Sequence, residues 1–551
     1  MNIRIRIRIK YSTAEKLTKA FRVFFSIMLL LMTLHYILST FINYRDPLHV
    51  QFVLTMVFSY VGTIFMLLLN PQSSVKAQGE KVSKYLILME VAVILVIGTW
   101  VFSAPFRNKT LPVGYDTPVY VGIVDLLISG KMPLLEFRRR MGYFTLLYLV
   151  TKIFNLDPIT LGRLLQLQGV FLAISVYFYT MTLMNHKAAL LSGLFTIVWS
   201  RTHRVVADLH ANTAGLSLLY IFFAVHSLKL KKYIKVILLI ILLMLIASVH
   251  EMPLVILLCT LSAFYGYELI QSKDKKRRII GVLIPSIPFI LCVVTSYVLS
   301  ISWRGDLTRK WWPEVSIFSY RFLYLNRPEY LCLFAPLSIP RLICTSSGSI
   351  LLLYTLISIL FSQNFYFGLH ALPERFLVLI PLPTLASIGY ISLLRYIFQR
   401  MPRLRPVMKK KLITGLFITI TSIILVPAVE KAELCMAQTP CYITNEEYEG
   451  LLYLKHHISS KGLNKSQVLI LFPRYGMKAW FTYLGGQGAV YSARGSIVKY
   501  FKKDPNLKYI YLIVPYRRKI PRLDSVYYRI IYRNDYIQIY EVYSKMKNSN
   551  S

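Results

Sequence analysis

Acidic residues are scarce in this sequence: 25 Asp and Glu stand against 64 Lys and Arg, and only 16% of the residues are charged at all. So low a charged fraction, with 55% hydrophobic residues and a mean hydropathy of +0.52, excludes an ordinary soluble domain. Cysteine is also sparse. Six cysteines, of which Cys435 and Cys441 form the only close pair, exclude a disulfide scaffold and give no zinc-ligand spacing. There is no Walker loop and no dinucleotide fingerprint, so use of a soluble nucleotide has no support. No fixed-period repeat is visible. The formal charge of +39 is scattered between apolar runs rather than concentrated in one basic face, which argues against nucleic acid as a partner.

What the chain has instead is long apolar runs. It reads as a polytopic α-helical membrane protein with about thirteen transmembrane helices, since a span needs roughly twenty apolar residues. The runs are Phe21 to Phe41, His49 to Leu69, Tyr85 to Ser103, Leu161 to Met184, Ala188 to Ser200, Ala211 to Leu228, Val236 to Val249 and Pro253 to Ile270. They continue with Ile279 to Ser300, a weak one near Tyr330 to Ile343, Ile350 to Phe361, Phe376 to Ile397 and Leu412 to Val429. Val119 to Ser129 reads as a short amphipathic helix at the interface, and Tyr143 to Phe154 as an in-plane helix too short for a crossing. The basic start, Met1 to Lys10, precedes an apolar run without a small-residue cleavage site, so an uncleaved anchor is expected.

Dense basic clusters at Lys229 to Lys235, Lys273 to Arg278 and Arg400 to Lys411 place those loops and the N-terminus in the cytoplasm of a multi-pass cell-membrane protein. The chain then divides into N-terminal spans (1–104), a membrane module with external loops (105–430) and a small extracytoplasmic α/β domain (431–551). In that last part Thr444-Asn-Glu-Glu447 is a capping-box pattern opening a helix. Val468 to Phe472 and Tyr509 to Val514 read as buried strands, and Tyr527 to Arg533 with Tyr536 to Tyr543 flank a hairpin signal at Asn534-Asp535. Two glycosylation sequons, Asn108-Lys-Thr110 and Asn464-Lys-Ser466, fall outside in this orientation.

Four polar loops share the external side. Leu111-Pro-Val-Gly-Tyr-Asp-Thr-Pro-Val-Tyr120 holds Tyr115 and Asp116 in the punctuation of a fixed turn; the plain alternative is a solvated turn aspartate. Arg201 to Asn212 offers His203, Arg204, Asp208 and His210, with Asp208 alternatively capping the next helix. Val249-His-Glu-Met-Pro253 places His250 and Glu251 between two apolar spans, where they either serve a site or pair to mark a reversal. Gly368 to Phe376 carries His370 and Arg375; Arg375 is either an interfacial anchor or a phosphate clamp, because a guanidinium binds phosphate bidentately and keeps its proton. A carboxylate, nearby histidines and such an arginine suit transfer of a sugar from a lipid phosphate: the carboxylate deprotonates the acceptor and the arginine stabilises the leaving phosphate.

At these loops the sequence resembles the GT-C superfamily of membrane glycosyltransferases, particularly archaeal members, with distant similarity to protein O-mannosyltransferases and oligosaccharyltransferase catalytic subunits. Pro112-Val-Gly-Tyr-Asp-Thr-Pro118 resembles the first external loop with its catalytic acid, and Asp208-Leu-His-Ala-Asn-Thr-Ala-Gly215 the second acidic loop. Val249-His-Glu251 is similar to a His-Glu pair of archaeal relatives, and Pro373-Glu-Arg-Phe-Leu-Val-Leu-Ile-Pro381 to the motif where an arginine meets the lipid phosphate. The resemblance implies an inverting transferase with a polyprenyl-phosphate-linked sugar donor and a glycan, lipid or protein acceptor. It implies Asp116 and Asp208 as catalytic, and Tyr115, Arg204, His250, Glu251, His370 and Arg375 as substrate-binding. Some relatives use a divalent metal (magnesium or manganese), for which Asp116, Asp208 and His250 could supply ligands. Phe472-Pro-Arg-Tyr-Gly476 stands where oligosaccharyltransferases carry Trp-Trp-Asp-Tyr-Gly, which implies an acceptor other than their sequon. A transporter or lipid flippase predicts charges at mid-membrane in two matching halves; a non-catalytic membrane subunit predicts no cleft joining the four loops.

Overall fold

The computed structural model describes residues 82–114, 116–128, 130, 140–272, 274–284, 331–362, 379–399, 406–439, 443–463, 467–473, 477–478, 480–481, 484, 489–492, 507–515 and 526–544. The first two expected spans, most of Ile279 to Ser300, Tyr115, His370, Arg375 and the 464–466 sequon lie outside the described residues.

The apolar runs become helices: α1 (Lys84–Phe102), α2 (Thr117–Ile128), α3 (Met141–Phe154), α4 (Pro158–Leu164), α5 (Gln168–Leu183), α6 (His186–Val198), α7 (Ser200–Asp208) and α8 (His210–Ser227). They continue as α9 (Lys232–Val249), α10 (Glu251–Ile270), α11 (Lys275–Leu283), α12 (Ser346–Ser362), α13 (Leu382–Gln399), α14 (Pro406–Ala437) and α15 (Asn445–Ser460). Among the described residues four stretches are long and apolar enough to cross a membrane: Lys84–Phe102, Ile159–Leu183, Lys232–Val249 and Met252–Ile270. Of the weak span expected near Tyr330, the described residues begin at Leu331. Leu331–Phe334, the 3-10 turn Ala335–Ser338 and Ile339–Leu342 follow one another as short pieces, because Pro336 and Pro340 each remove a backbone donor. The last span also runs further than its apolar run, since α14 carries Glu430, Lys431 and Glu433 within one 32-residue helix.

The chain divides into two compact units, 1–101 with 168–205 and 211–433, and 102–167 with 206–210 and 434–551. In the first, α1 packs on α5 and α6 through small residues: a Cβ on Gly193 would lie 2.5 Å from Ile94 Cδ1, and one on Gly98 3.2 Å from Val170. Glu90 is buried on α1 and accepts a hydrogen bond from Tyr177 Oη (2.8 Å), with His186 Nδ1 2.7 Å away. Gly389 of α13 presses against the 331–342 turns. A Cβ there would stand 1.8 Å from the Phe334 carbonyl oxygen, which is backbone and has nowhere to go. Gly389→Ala is therefore expected to cost about 2 to 3 kcal/mol by overpacking, read as a lowered unfolding midpoint of the solubilised protein.

In the second unit Thr444 caps α15 in a complete capping box with Glu447. The strands β1 (Val468–Phe472), β2 (Ala489–Ser492), β3 (Tyr509–Pro515), β4 (Val526–Arg533) and β5 (Ile537–Ser544) form one sheet in the order β2-β1-β3-β5-β4. β1 pairs in parallel with β2 and β3; β5 runs antiparallel to β3 and β4. β2 has no counterpart in the sequence reading. α15 lies close on one sheet face because Gly450 leaves room, its would-be Cβ 2.5 Å from Ile537 Cδ1. Leu469, Leu471, Ile510, Leu512, Val514 and Val542 form the apolar core of the opposite face.

Under the end of α15 sits a buried carboxylate, Glu541, at 1% exposure. It accepts from Arg529 Nε (2.6 Å), Tyr511 Oη (3.0 Å) and Lys461 Nζ, with His457 Nε2 at 3.3 Å. Burial alone would push this carboxyl up, but the hydrogen bonds from Lys461, Arg529 and His457 and the Lys461 charge outweigh it and bring it down to about 2.

Candidate functional site

The polar turn that begins at Leu111 is built into the second unit from both ends. At its stem Lys109 Nζ donates to the Ala437 (2.7 Å) and Thr439 carbonyls, and Thr110 Oγ1 to Asn445 Oδ1 (2.6 Å). Arg163 of α4 reaches the Lys109 (3.1 Å) and Thr110 carbonyls. At the apex Gly114 has φ +101°, a region open to glycine, and its missing Cβ would lie 1.9 Å from the Ala207 carbonyl oxygen. The turn therefore lies directly against the Val206–His210 segment. Gly114→Ala adds strain of about 1 to 3 kcal/mol to a backbone clash, and is expected to loosen the turn, read as faster hydrogen exchange over 111–120.

Asp116 closes the turn and starts α2: its carbonyl accepts from Val119 N (3.0 Å) and Tyr120 N (3.2 Å). It is half-buried and engaged with neighbouring groups. Thr117 is fully buried and sits between two partners. Its hydroxyl donates to the Val113 carbonyl (2.6 Å) and faces His210 Nε2 at 2.8 Å. A hydroxyl has one proton, and here it goes to the carbonyl, so the imidazole must donate through Nε2. The neutral ring of that tautomer presents Nδ1 as a lone pair, and Nδ1 is buried without a hydrogen-bond partner. Tyr120 meets His210 edge-on (5.4 Å between centroids), and Arg140 donates to the Tyr120 hydroxyl with its guanidinium carbon 5.7 Å from that ring. Gln166 Nε2 joins the two loops from below, 3.2 Å from Val113 O.

Asp116 and the Asp208–His210 segment thus meet within one unit. Asp208 is the last residue of α7, and Leu209 alone separates it from α8. His203, Arg204, His250 and Glu251, the other sequence-selected residues that are described, fall in the first unit. His250 is the N-cap of α10, its Nδ1 accepting from Met252 N (3.1 Å), and it is 2% exposed. Arg204 is half-buried on α7 and engaged; Glu251 is the first residue of α10. His203 Nε2 donates to the Ile197 carbonyl at 2.7 Å. Sequence reasoning assigned no role to Thr117 or Gln166 and reads Arg138 to Arg140 as a headgroup contact, whereas Arg140 reaches Tyr120; the nearest signal was adjacency, Thr117 following Asp116 and His210 standing two residues after Asp208.

Among solved structures the chain is similar to ArnT from Cupriavidus metallidurans bound to undecaprenyl phosphate, at 11% identity and a TM-score of 0.51 over 84% of this chain and 98% of that one. It has the fold of the GT-C membrane glycosyltransferases. The archaeal oligosaccharyltransferase AglB from Archaeoglobus fulgidus, in complex with an inhibitory peptide and a dolichol-phosphate, gives a TM-score of 0.52 at 10% identity over 78% of this chain and 69% of that one. No family model matches the chain, and no curated protein matches it in sequence. At such identities the GT-C likeness concerns the fold, and the chemistry rests on the residues described above.

Proposed function

We propose that this protein transfers a sugar from a polyprenyl-phosphate-linked donor to an acceptor on the extracytoplasmic face, with inversion at the anomeric carbon. The observation that carries the reading is Asp116, held at the start of α2 in a GT-C fold by a turn locked onto the Asp208–His210 segment. Two proteins of similar fold hold undecaprenyl phosphate and a dolichol-phosphate. In the proposed step the acceptor oxygen or nitrogen bonds to the anomeric carbon as the bond from that carbon to the phosphate oxygen breaks. Asp116 takes the acceptor proton, and the electron pair leaves with the lipid phosphate. By the sequence resemblance, Arg375 is assigned to that phosphate and Tyr115, Arg204, His250, Glu251 and His370 to substrate binding.

Among the described residues no group of three His, Cys, Asp or Glu stands arranged to hold a metal ion; a divalent cation here is a proposal from residue chemistry. Asp116 and Asp208 are oxygen donors, and the orphaned Nδ1 of His210 is an imidazole lone pair whose other nitrogen is already fixed by Thr117. When bound, such an ion would neutralise charge on the departing phosphate. His250, the third ligand proposed from the sequence, has its Nδ1 occupied as a helix cap, which leaves Nε2 as the nitrogen it would offer. The external α/β portion, 431–551, is the part offered to the acceptor.

The test is transfer by purified protein in lipid, with polyprenyl-phosphate sugars labelled in the sugar and membrane extract as acceptor. Transfer by wild type and its loss in folded Asp116→Asn establishes the reaction and the base together. Absence of transfer with every donor would instead favour a flippase or a non-catalytic subunit.

A further inference from the structure

α15 covers only part of its sheet face, and what lies at its end is an arrangement of cations and tyrosines. Across the sheet Ile470, Tyr511, Glu541 and Arg529 stand in one transverse row. The adjoining row on the same face carries Tyr509 on β3 and the directly paired Tyr543 and Tyr527. Arg529 gives its Nε to the buried Glu541 carboxylate (2.6 Å), and its two terminal amino groups have no hydrogen-bond partner among the described residues. The side chain is 57% exposed. Its fork is therefore aimed by a buried anchor and open toward solvent, the geometry that takes a planar anion bidentately. Lys461, the C-cap of α15, is bound to the same carboxylate and lies 4.4 Å from the Tyr509 ring centroid. One carboxylate thus organises two cations, and the local balance is positive. Beside them Tyr527 stacks on Tyr543 (5.8 Å, 25°) and is 47% exposed at the edge strand.

We infer that this row binds an acidic saccharide, with a carboxylate on the Arg529 fork and a sugar ring against Tyr527. Charge complementarity selects the anion, and the aromatic row selects a ring with an apolar face over a bare ion. The Glu541 anchor makes the arginine a prepared donor, so that little side-chain freedom is lost on binding. This surface needs no transfer chemistry and goes beyond the reading of the Asp116 site. Loss of the one leaves the other standing.

The experiment uses the full chain in nanodiscs of uncharged phosphatidylcholine, titrated with a tetragalacturonate and with its fully methyl-esterified counterpart. Wild type is expected to bind the acid form and to bind the ester at least about tenfold more weakly, the size of one charge-assisted bidentate contact. Arg529→Lys keeps a charge for Glu541 but removes the fork, and should also weaken binding about tenfold. Tyr527→Ala lies outside the ion cluster and should weaken saccharide binding several-fold, beyond the modest drop in unfolding midpoint that loss of its stack on Tyr543 brings. The inference is overturned if wild type does not bind the acid form, if acid and ester bind alike, or if both variants bind as wild type does. It is equally overturned if anionic vesicles bind the nanodiscs through Arg529 while the saccharide does not, which would make the surface a lipid-headgroup contact.

Discussion

Replacing Asp116 by asparagine is expected to cut sugar transfer by about a hundredfold to ten-thousandfold, the usual weight of a positioned general base. The substitution is nearly isosteric. The features that shape the turn are the Gly114 backbone, the Thr117–Val113 hydrogen bond and the Lys109 and Arg163 contacts at its stem, and all of these survive it. The Asp116 carbonyl, which starts α2, is likewise unchanged. The turn should therefore keep its fold while the turnover rate falls. The discriminating readout is the pH profile: wild-type transfer should show an acid limb where the base is protonated, and whatever activity Asp116→Asn retains should lack it. An unaltered rate in the folded variant would remove Asp116 from the chemistry.

The second large effect is on stability. Glu541→Gln keeps the shape of the side chain but withdraws the charge that Lys461 and Arg529 surround. Its carboxyl is lowered from an ordinary 4.5 to about 2 in the folded protein, so the ionised form contributes on the order of 3 kcal/mol. Because the folded value lies below the unfolded one, that contribution is complete above pH 4.5 and is lost as pH falls toward 2. Comparing unfolding midpoints of wild type and Glu541→Gln should show the gap widest near neutral pH and closing through that window. A gap that stays constant with pH would mean the glutamine harms packing rather than charge.

How much of this was legible beforehand differs from element to element. The capping box at Thr444 and the strands from Val468, Tyr509, Tyr527 and Ile537 were, because caps and alternation are local signals. β2 was not: Ala489–Ser492 is four residues long and owes its place to pairing with β1. The extent of α14 was missed because charge at Glu430 to Glu433 looks like a span's end, whereas a helix leaving the bilayer has no reason to stop there. At the candidate site the turn around Asp116 could be read from Gly114 and Pro118. The partner of Thr117 could not, since His210 is 93 residues away and only the fold brings them together. His250 shows the converse: a histidine between two apolar runs looks functional, and its Nδ1 turns out to cap α10.

The buried trio in the first unit has a consequence for how the chain is made. Glu90 is synthesised 87 residues before Tyr177 and 96 before His186. At about 5 to 20 residues per second, the nascent α1 waits roughly five to twenty seconds with a carboxyl that has no partner. During that interval the helix is a poor tenant of the hydrocarbon, where an acidic residue costs up to about 3 kcal/mol at the centre and less toward an end. Its stable residence depends on the later arrival of α5 and α6, so the ribosome must be well past His186 before this part of the membrane bundle can close.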